Sequence, residues 1–211
     1  MTARARLLDL GALRKVLLDP AEAAALDVHG RTDAAVLVPL YEPAPTADRA
    51  EPGKLLVGEL HLVFTRRRDD LRRHPGEISF PGGRQDEPDE DLVQTALREA
   101  EEEIGLPVDA VEILGALQPT PTIATNYAIY PFVGRIEHGH VWKLSATEVA
   151  EVLELSLSDL RAGYGRRRLL RRGVPFRTDV YMVGDNLIWG ATARILGDLL
   201  DRVERLACAP A

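Results

Sequence analysis

Three glutamates, Glu99, Glu102 and Glu103, carry the strongest chemical signal in the chain. Spaced i, i+3 and i+4, they share one face if the segment around them is helical. Leu92, Ala96, Ala100 and Ile104, with Leu97, mark an apolar side at helical spacing. Asp and Glu cluster from Asp86 to Asp91, where negative charge favours a helix start, and Gly105 followed by Pro107 supplies a stop. Like charges at such spacing destabilise a helix by roughly 0.2–0.5 kcal/mol per pair. A hard divalent cation such as Mg²⁺, which takes oxygen ligands, makes the same crowding favourable. Arg98, four residues before Glu102, is placed to hold that carboxylate in one orientation. Pro81-Gly82-Gly83 allows close backbone approach to a metal or phosphate, because glycine has no Cβ. A solvated acidic face is the plainer reading of a Glu-rich run. The ordered succession of Gly-Gly, Arg-Glu, Glu-Glu and Gly favours the cation site.

Just upstream, Arg66, Arg67, Arg68, Arg72 and Arg73 form a basic stretch that runs into the Gly-Gly. A solvated basic loop is the bland alternative. Guanidinium groups pair bidentately with phosphate oxygens, so the stretch suits a polyphosphorylated substrate better. His74 is read as a loop residue.

These residues resemble the Nudix box, with the family pattern G-x5-E-x7-R-E-U-x-E-E-x-G-U, in which U is a bulky aliphatic residue. Arg98 to Leu106 matches residue by residue, with Ala100 small for its U position. In the first half Glu90 stands as surrogate for the pattern's first glutamate, with six residues instead of five after Gly83. The run from Leu62 to Gly83 is similar to the L-L-T-x-R-S-x3-R-x3-G-x-V-x-F-P-G-G signature of the coenzyme A diphosphatase branch. Arg67, Arg72, Gly76, Phe80 and Pro81-Gly82-Gly83 fall in place, and Arg68 replaces the usual serine. Boxes of that branch carry the same extra residue, and Ile188 to Ala193 resembles its C-terminal helix.

The resemblance implies an α/β (α+β) fold, the Nudix α/β/α sandwich with a mixed sheet. It implies Mg²⁺ or Mn²⁺ held by Glu99, Glu102, Glu103 and the Gly82 carbonyl. Arg98 would orient, Glu102 or a loop glutamate would accept the proton of the attacking water, and Arg67, Arg72, Gly76, Phe80 and Gly83 would serve the substrate. In many Nudix proteins a glutamate from a downstream loop completes the site; Glu148 is the candidate here and Glu151 the runner-up. The implied reaction cleaves coenzyme A into 3′,5′-ADP and 4′-phosphopantetheine. A Nudix enzyme for ADP-ribose, a dinucleotide or a nucleoside triphosphate stays open. So does a non-catalytic Nudix-like binding or regulatory module, although a pure binder has no need of three adjacent carboxylates.

Those groups need a scaffold. The chain's 211 residues, 45% hydrophobic and 28% charged, fit one globular domain over 1–211. A net charge of −7 disfavours nucleic acid as a partner; the resemblance implies a small-molecule nucleotide, CoA-like. The lone Cys208 fits a reducing compartment. No apolar run is long enough to span a membrane and no secretory signal is evident, so a cytoplasmic location is expected.

In chain order, residues 1–30 read as a helical arm of two short helices broken near Asp19-Pro20, for packing or, alternatively, for a homodimer contact. Ala34–Tyr41 reads as a buried strand, 42–54 as an exposed loop, and Leu55–Thr65 as a strand paired with the first. The box occupies 82–106. Strands follow at Val111–Leu117 and Tyr127–Ile136, with Pro131 pointing to an edge or bulge. Trp142–Leu155 runs from loop into strand, and Leu157–Ala162 is a small helix after Ser156. Gly165–Gly173, a second basic patch over 166–172, reads as a solvated turn or a further phosphate contact. Phe176–Val183 is a strand, and 187–206 an amphipathic C-terminal helix whose Trp189 packs in the core or an interface.

Overall fold

A computed structural model describes residues 7–8, 10–28, 32–44, 55–56, 60–122, 126–171 and 173–208. The expected loop beyond residue 44, the start of the N-terminal arm and Arg172 of the second basic patch lie outside the described residues. The first elements are β1 (Leu7–Leu8), α1 (Leu10–Leu13), α2 (Pro20–Ala24), β2 (Thr32–Tyr41), β3 (Leu55–Leu56) and β4 (His61–Arg67). Next come β5 (Ile78–Ser79), β6 (Gly82–Arg84), α3 (Leu92–Ile104), β7 (Glu112–Ala116), β8 (Thr120–Pro121) and β9 (Tyr127–Arg135). The chain closes with β10 (Val149–Ser156), α4 (Leu157–Ala162), β11 (Tyr164–Arg171), β12 (Val174–Val183), β13 (Asn186–Trp189) and α5 (Gly190–Cys208).

The main sheet runs β10-β4-β2-β9-β7, and β5, β6 and β8 add short pairings to β4, β2 and β9. β2 and β9 are parallel and their other neighbours antiparallel, so the sheet is mixed. β2 is covered on both faces, which explains its unbroken apolar run. Ala35 and Leu37 join Val63, Phe132 and the Leu92-Ala96-Ala100-Ile104 stripe of α3 in one core layer. Val38, Leu40, Leu62 and Phe64 point the other way, toward Ile195, Leu196, Leu199 and Val203 of α5. The period-two alternation of the strands thus feeds two helical layers, an α/β/α arrangement.

The box helix begins and ends as its sequence requires. Asp91 caps the N-terminus by accepting from the Gln94 N–H at 2.8 Å, and Gly105 closes it in the left-handed conformation at φ 69°. Asp19 caps α2 in the same way. The arm packs within the chain: Leu13 joins the α5 core layer and Arg202 donates to the Val16 carbonyl.

Four expectations are corrected. Leu55–Thr65 is not one strand; β3 pairs with β1, and only β4 joins β2. Pro131 lies in an interior strand. Its carbonyl accepts from Leu117 N–H, so its missing donor faces the place where β7 gives way to β8. The second basic patch is not a turn but β11, paired with β12 along its whole length. Residues 187–189 belong to β13, returning after a Gly184-Asp185 turn, and the final helix starts only at Gly190. Trp189 contacts Phe176 there and is half-buried. Among the described residues no helix is long and apolar enough to cross a membrane.

Candidate active site

α3 packs over β6; Gly83 permits that approach, and Gly82 permits the close pairing of β6 with β2. A Cβ on Gly82 would lie 2.3 Å from the Ala35 carbonyl oxygen, and one on Gly83 would lie 2.3 Å from Glu99 Oε1. The Glu99 carboxylate therefore rests on the bare Gly83 backbone. One turn on, Glu103 is 5% exposed, with Oε1 4.0 Å from Arg67 Nη1. Its Oε2 is buried without a hydrogen-bond partner. Burial pushes the Glu103 carboxyl up to about 8, aided by the charges of Glu99 and Glu148. The Arg67 charge and a backbone hydrogen bond from Gly82 oppose that rise. Burial also raises Glu99, against the pull of Arg98. Two carboxyls held partly out of water, one with an orphaned oxygen, are short of positive charge.

Glu102 behaves differently. Its side chain is 61% exposed and accepts from Arg98 Nη1 at 3.3 Å. Arg98 also donates from Nη1 to Glu99 Oε1 at 3.0 Å and from Nη2 to the Arg84 carbonyl at 3.2 Å. It is itself gripped by Asp89, through Nε at 2.9 Å and Nη2 at 3.0 Å. The Asp89 side chain is 4% exposed and also accepts from Thr95 Oγ1 at 2.9 Å and the Asp86 N–H at 3.0 Å. Those bonds, the Arg98 one foremost, hold its carboxyl down at about 2.

Asp89 is the functional residue that the sequence reading missed. Glu90, expected as the box's first acid, is exposed. The signal was spacing: Arg84, Gln85, Asp86, Glu87 and Pro88 are the five residues between Gly83 and Asp89, so the pattern's acid falls on Asp89, not Glu90. The shorter acid fills that place, and the additional residue falls between it and Arg98.

The opposite wall comes from β4 and the 137–148 loop. Ser145 N–H donates to the Glu103 carbonyl at 2.9 Å and Arg68 N–H to the Glu148 carbonyl at 3.0 Å, tying the loop to both elements. A register shift follows at Val149–Glu151. Glu148, 50% exposed, has Oε2 3.9 Å from Arg67 Nη1. Glu151 is bound by Arg66 Nε at 3.0 Å and stands away from the carboxylates. In the 68–77 loop Arg72 is exposed. Gly76, at φ 66°, makes a turn in which a Cβ would meet Asp69 Oδ1 at 2.7 Å. Phe80 is buried and stacks on Phe64 at 4.5 Å. Gly76 therefore shapes the loop, and Phe80 the core beneath it. His74 is occupied by Glu77, Nδ1 to Oε2 at 2.7 Å.

As the side chains stand, no three His, Cys, Asp or Glu groups among the described residues converge as a metal-binding set. Glu99, Glu103 and the unpartnered Oε2 nonetheless fit a divalent cation: they are oxygen donors, close together and undercompensated. The described hollows lie elsewhere. The larger, about 660 Å³, opens between 42–44, 109–112 and 135–138, at the far ends of β2 and β9. No box carboxylate lines it.

Residues 53–173, more than half of the chain, match the family model described as the NUDIX domain. The chain belongs to the Nudix family. It is 38% identical over 175 residues to a protein named "Uncharacterized Nudix hydrolase NudL" from Enterobacter sp. (strain 638), covering 82% of this chain and 83% of that one. A protein of the same name from Photorhabdus laumondii is 36% identical over 174 residues, covering 81% and 84%. Among solved structures, a MutT/nudix family protein from Enterococcus faecalis superposes with a TM-score of 0.53 at 14% identity, covering 87% of this chain and 66% of that one. The NUDIX domain of Shewanella oneidensis NrtR, in complex with ADP ribose, gives 0.50 at 17% identity, covering 88% and 97%. The two structures share the fold. The chain is thus a Nudix hydrolase, a pyrophosphohydrolase of a family that uses divalent metal ions.

Two outcomes follow from the carboxyl geometry. Asp89→Asn is expected to lower kcat by about 10–100-fold, the usual effect of losing a group that orients a ligand, with the fold retained. Glu90→Gln leaves kcat unchanged; steady-state assays of the pair decide between the two acids. Glu103 is raised from 4.5 to about 8, so its folded state binds the proton more tightly than its unfolded state. That stabilisation is complete below the ordinary value and is lost as pH rises through the folded one. The melting temperature of the metal-free protein should fall by several degrees between pH 5 and pH 9, and Glu103→Gln should flatten the profile.

Proposed function

We propose that the chain hydrolyses the diphosphate of coenzyme A and its derivatives, giving 3′,5′-ADP and 4′-phosphopantetheine, with Mg²⁺ or Mn²⁺ as cofactor. The observation that carries the hydrolytic part is the pair of desolvated carboxyls, Glu99 and Glu103, set on Gly82-Gly83 beside Arg67. The choice of CoA is supported by the likeness of Leu62–Gly83 to the CoA diphosphatase signature. Glu99 and Glu103, with Glu102 and the Gly82 carbonyl, would hold the cation. When bound, a divalent ion there supplies Lewis acidity and neutralises phosphoryl oxygens. Arg98, fixed by Asp89, holds Glu99 and Glu102 in register. Arg67 and Arg72 would grip phosphate oxygens, Arg72 from its exposed position on the loop.

Hydrolysis adds a water oxygen to one phosphorus, breaks its bond to the bridging oxygen and leaves a proton to be removed. Glu148 or Glu102 would accept that proton: both lie within electrostatic reach of Glu99, Glu148 also of Glu103, and each has an arginine partner, Arg67 or Arg98. Residues 1–211 act as one cytoplasmic unit in this reading. ADP-ribose is the second reading, motivated by the ADP ribose complex of the Shewanella oneidensis domain.

Hydrolysis of CoA, dephospho-CoA, ADP-ribose, NADH and dATP, with Mg²⁺ and then Mn²⁺, tests the assignment by chromatography of products. The expected result is 3′,5′-ADP and 4′-phosphopantetheine from CoA at a rate well above the other substrates. Turnover of ADP-ribose without CoA would discard the substrate and keep the metal site.

A further inference from the structure

Three consecutive arginines leave β4, and their guanidinium groups are held differently. Arg66 donates to Glu151 and Asn186. Arg68 forks onto Asp70 at 2.7 and 2.9 Å and reaches the Ala146 carbonyl at 2.7 Å. Both are locked by short, directed bonds. Arg67, between them, has a fixed stem: its N–H donates to the Glu77 carbonyl at 3.0 Å, and it pairs with Val149 across the sheet. Its head is looser. Nη1 stands 4.0 Å from Glu103 Oε1 and 3.9 Å from Glu148 Oε2, ion-pair distances beyond hydrogen-bond length. The guanidinium therefore bridges the buried box carboxyl and the half-exposed loop carboxylate by charge alone.

We propose that Arg67 has two positions: it bridges Glu103 and Glu148 until the box glutamates bind a divalent cation, which releases it toward a substrate phosphate. A cation on Glu99 and Glu103 removes the reason for Arg67 to stay, because it repels the guanidinium and takes over one of its two carboxyl partners. The same event unbinds Glu148, leaving that carboxylate free to accept a proton. Two groups needed for turnover are thereby held back until the metal is in place. A strand-anchored stem with a loosely paired head suits such a movement, since only side-chain torsions change. The proposal rests on reading Glu99 and Glu103 as cation ligands.

The test is calorimetric titration of Mn²⁺ into the wild-type protein and the Arg67→Gln and Arg67→Lys variants, without substrate. Competition predicts that Arg67→Gln binds Mn²⁺ at least about fivefold tighter, the low end of ordinary coupling between sites. Arg67→Lys keeps the charge and should stay within about twofold of wild type. Equal or weaker binding by Arg67→Gln would overturn the proposal. Phenylglyoxal labelling of the wild-type protein, read by peptide mass spectrometry, keeps the question decidable if that variant does not fold. Arg67 should label faster with Mn²⁺ present while Arg68 does not change; an unchanged or slower Arg67 also overturns it. Wild-type protein that binds no Mn²⁺ would sink the cation-site reading itself, a result distinct from bound Mn²⁺ with no effect at Arg67.

Discussion

The rest of the site depends on the closeness of α3 to β6. Helices usually stand off a sheet by the length of the side chains between them. Here Gly83 removes that side chain at the crossing, so Glu99 lies against backbone, and Glu103 reaches the Gly82 N–H beside it. That contact desolvates two carboxyls which a surface helix would leave hydrated, and it opposes their joint ionisation. Arg67 and a Gly82 hydrogen bond compensate only in part. In the proposed reading a divalent cation would complete the compensation.

Orientation is supplied from the side. Asp89, almost fully buried, takes Arg98 with two bonds, and Arg98 passes that order to Glu99 and Glu102. Thr95, buried in the first turns of α3, fixes Asp89 in turn. The chain of contacts runs from the loop before the helix to the carboxylates on it, so the loop and helix behave as one piece. The 137–148 loop is tied on through Ser145 and Glu148, which brings a fourth carboxylate from a distant part of the sequence.

Much of this was legible because local chemistry and global fold agree. The caps of α3, its apolar stripe and the unbroken apolar run of β2 each carry one period or one terminal residue type, and each was found. The misreadings came where local pattern underdetermines the partner. GRRRLLRRG has the composition of a turn, but pairing with β12 makes Gly165 to Arg171 part of a strand. Leu187-Ile188-Trp189 continues the apolar sequence of the helix, yet it pairs with Val180–Met182 before Gly190 allows the helix to begin. Asp89 was legible in the spacing after Gly83 but is an aspartate where the pattern has glutamate; its burial, a tertiary property, is what separates it from Glu90.

The central claim is that Glu103, its carboxyl pushed up to about 8 by burial, takes a cation, and metal-linked proton release tests it most directly. Mn²⁺ titrated into weakly buffered protein at pH 7 should displace about one proton per ion, because ligating carboxylates must ionise. The Glu103→Gln variant should displace far less. Mn²⁺ binding by the wild-type protein with no proton released would contradict the account.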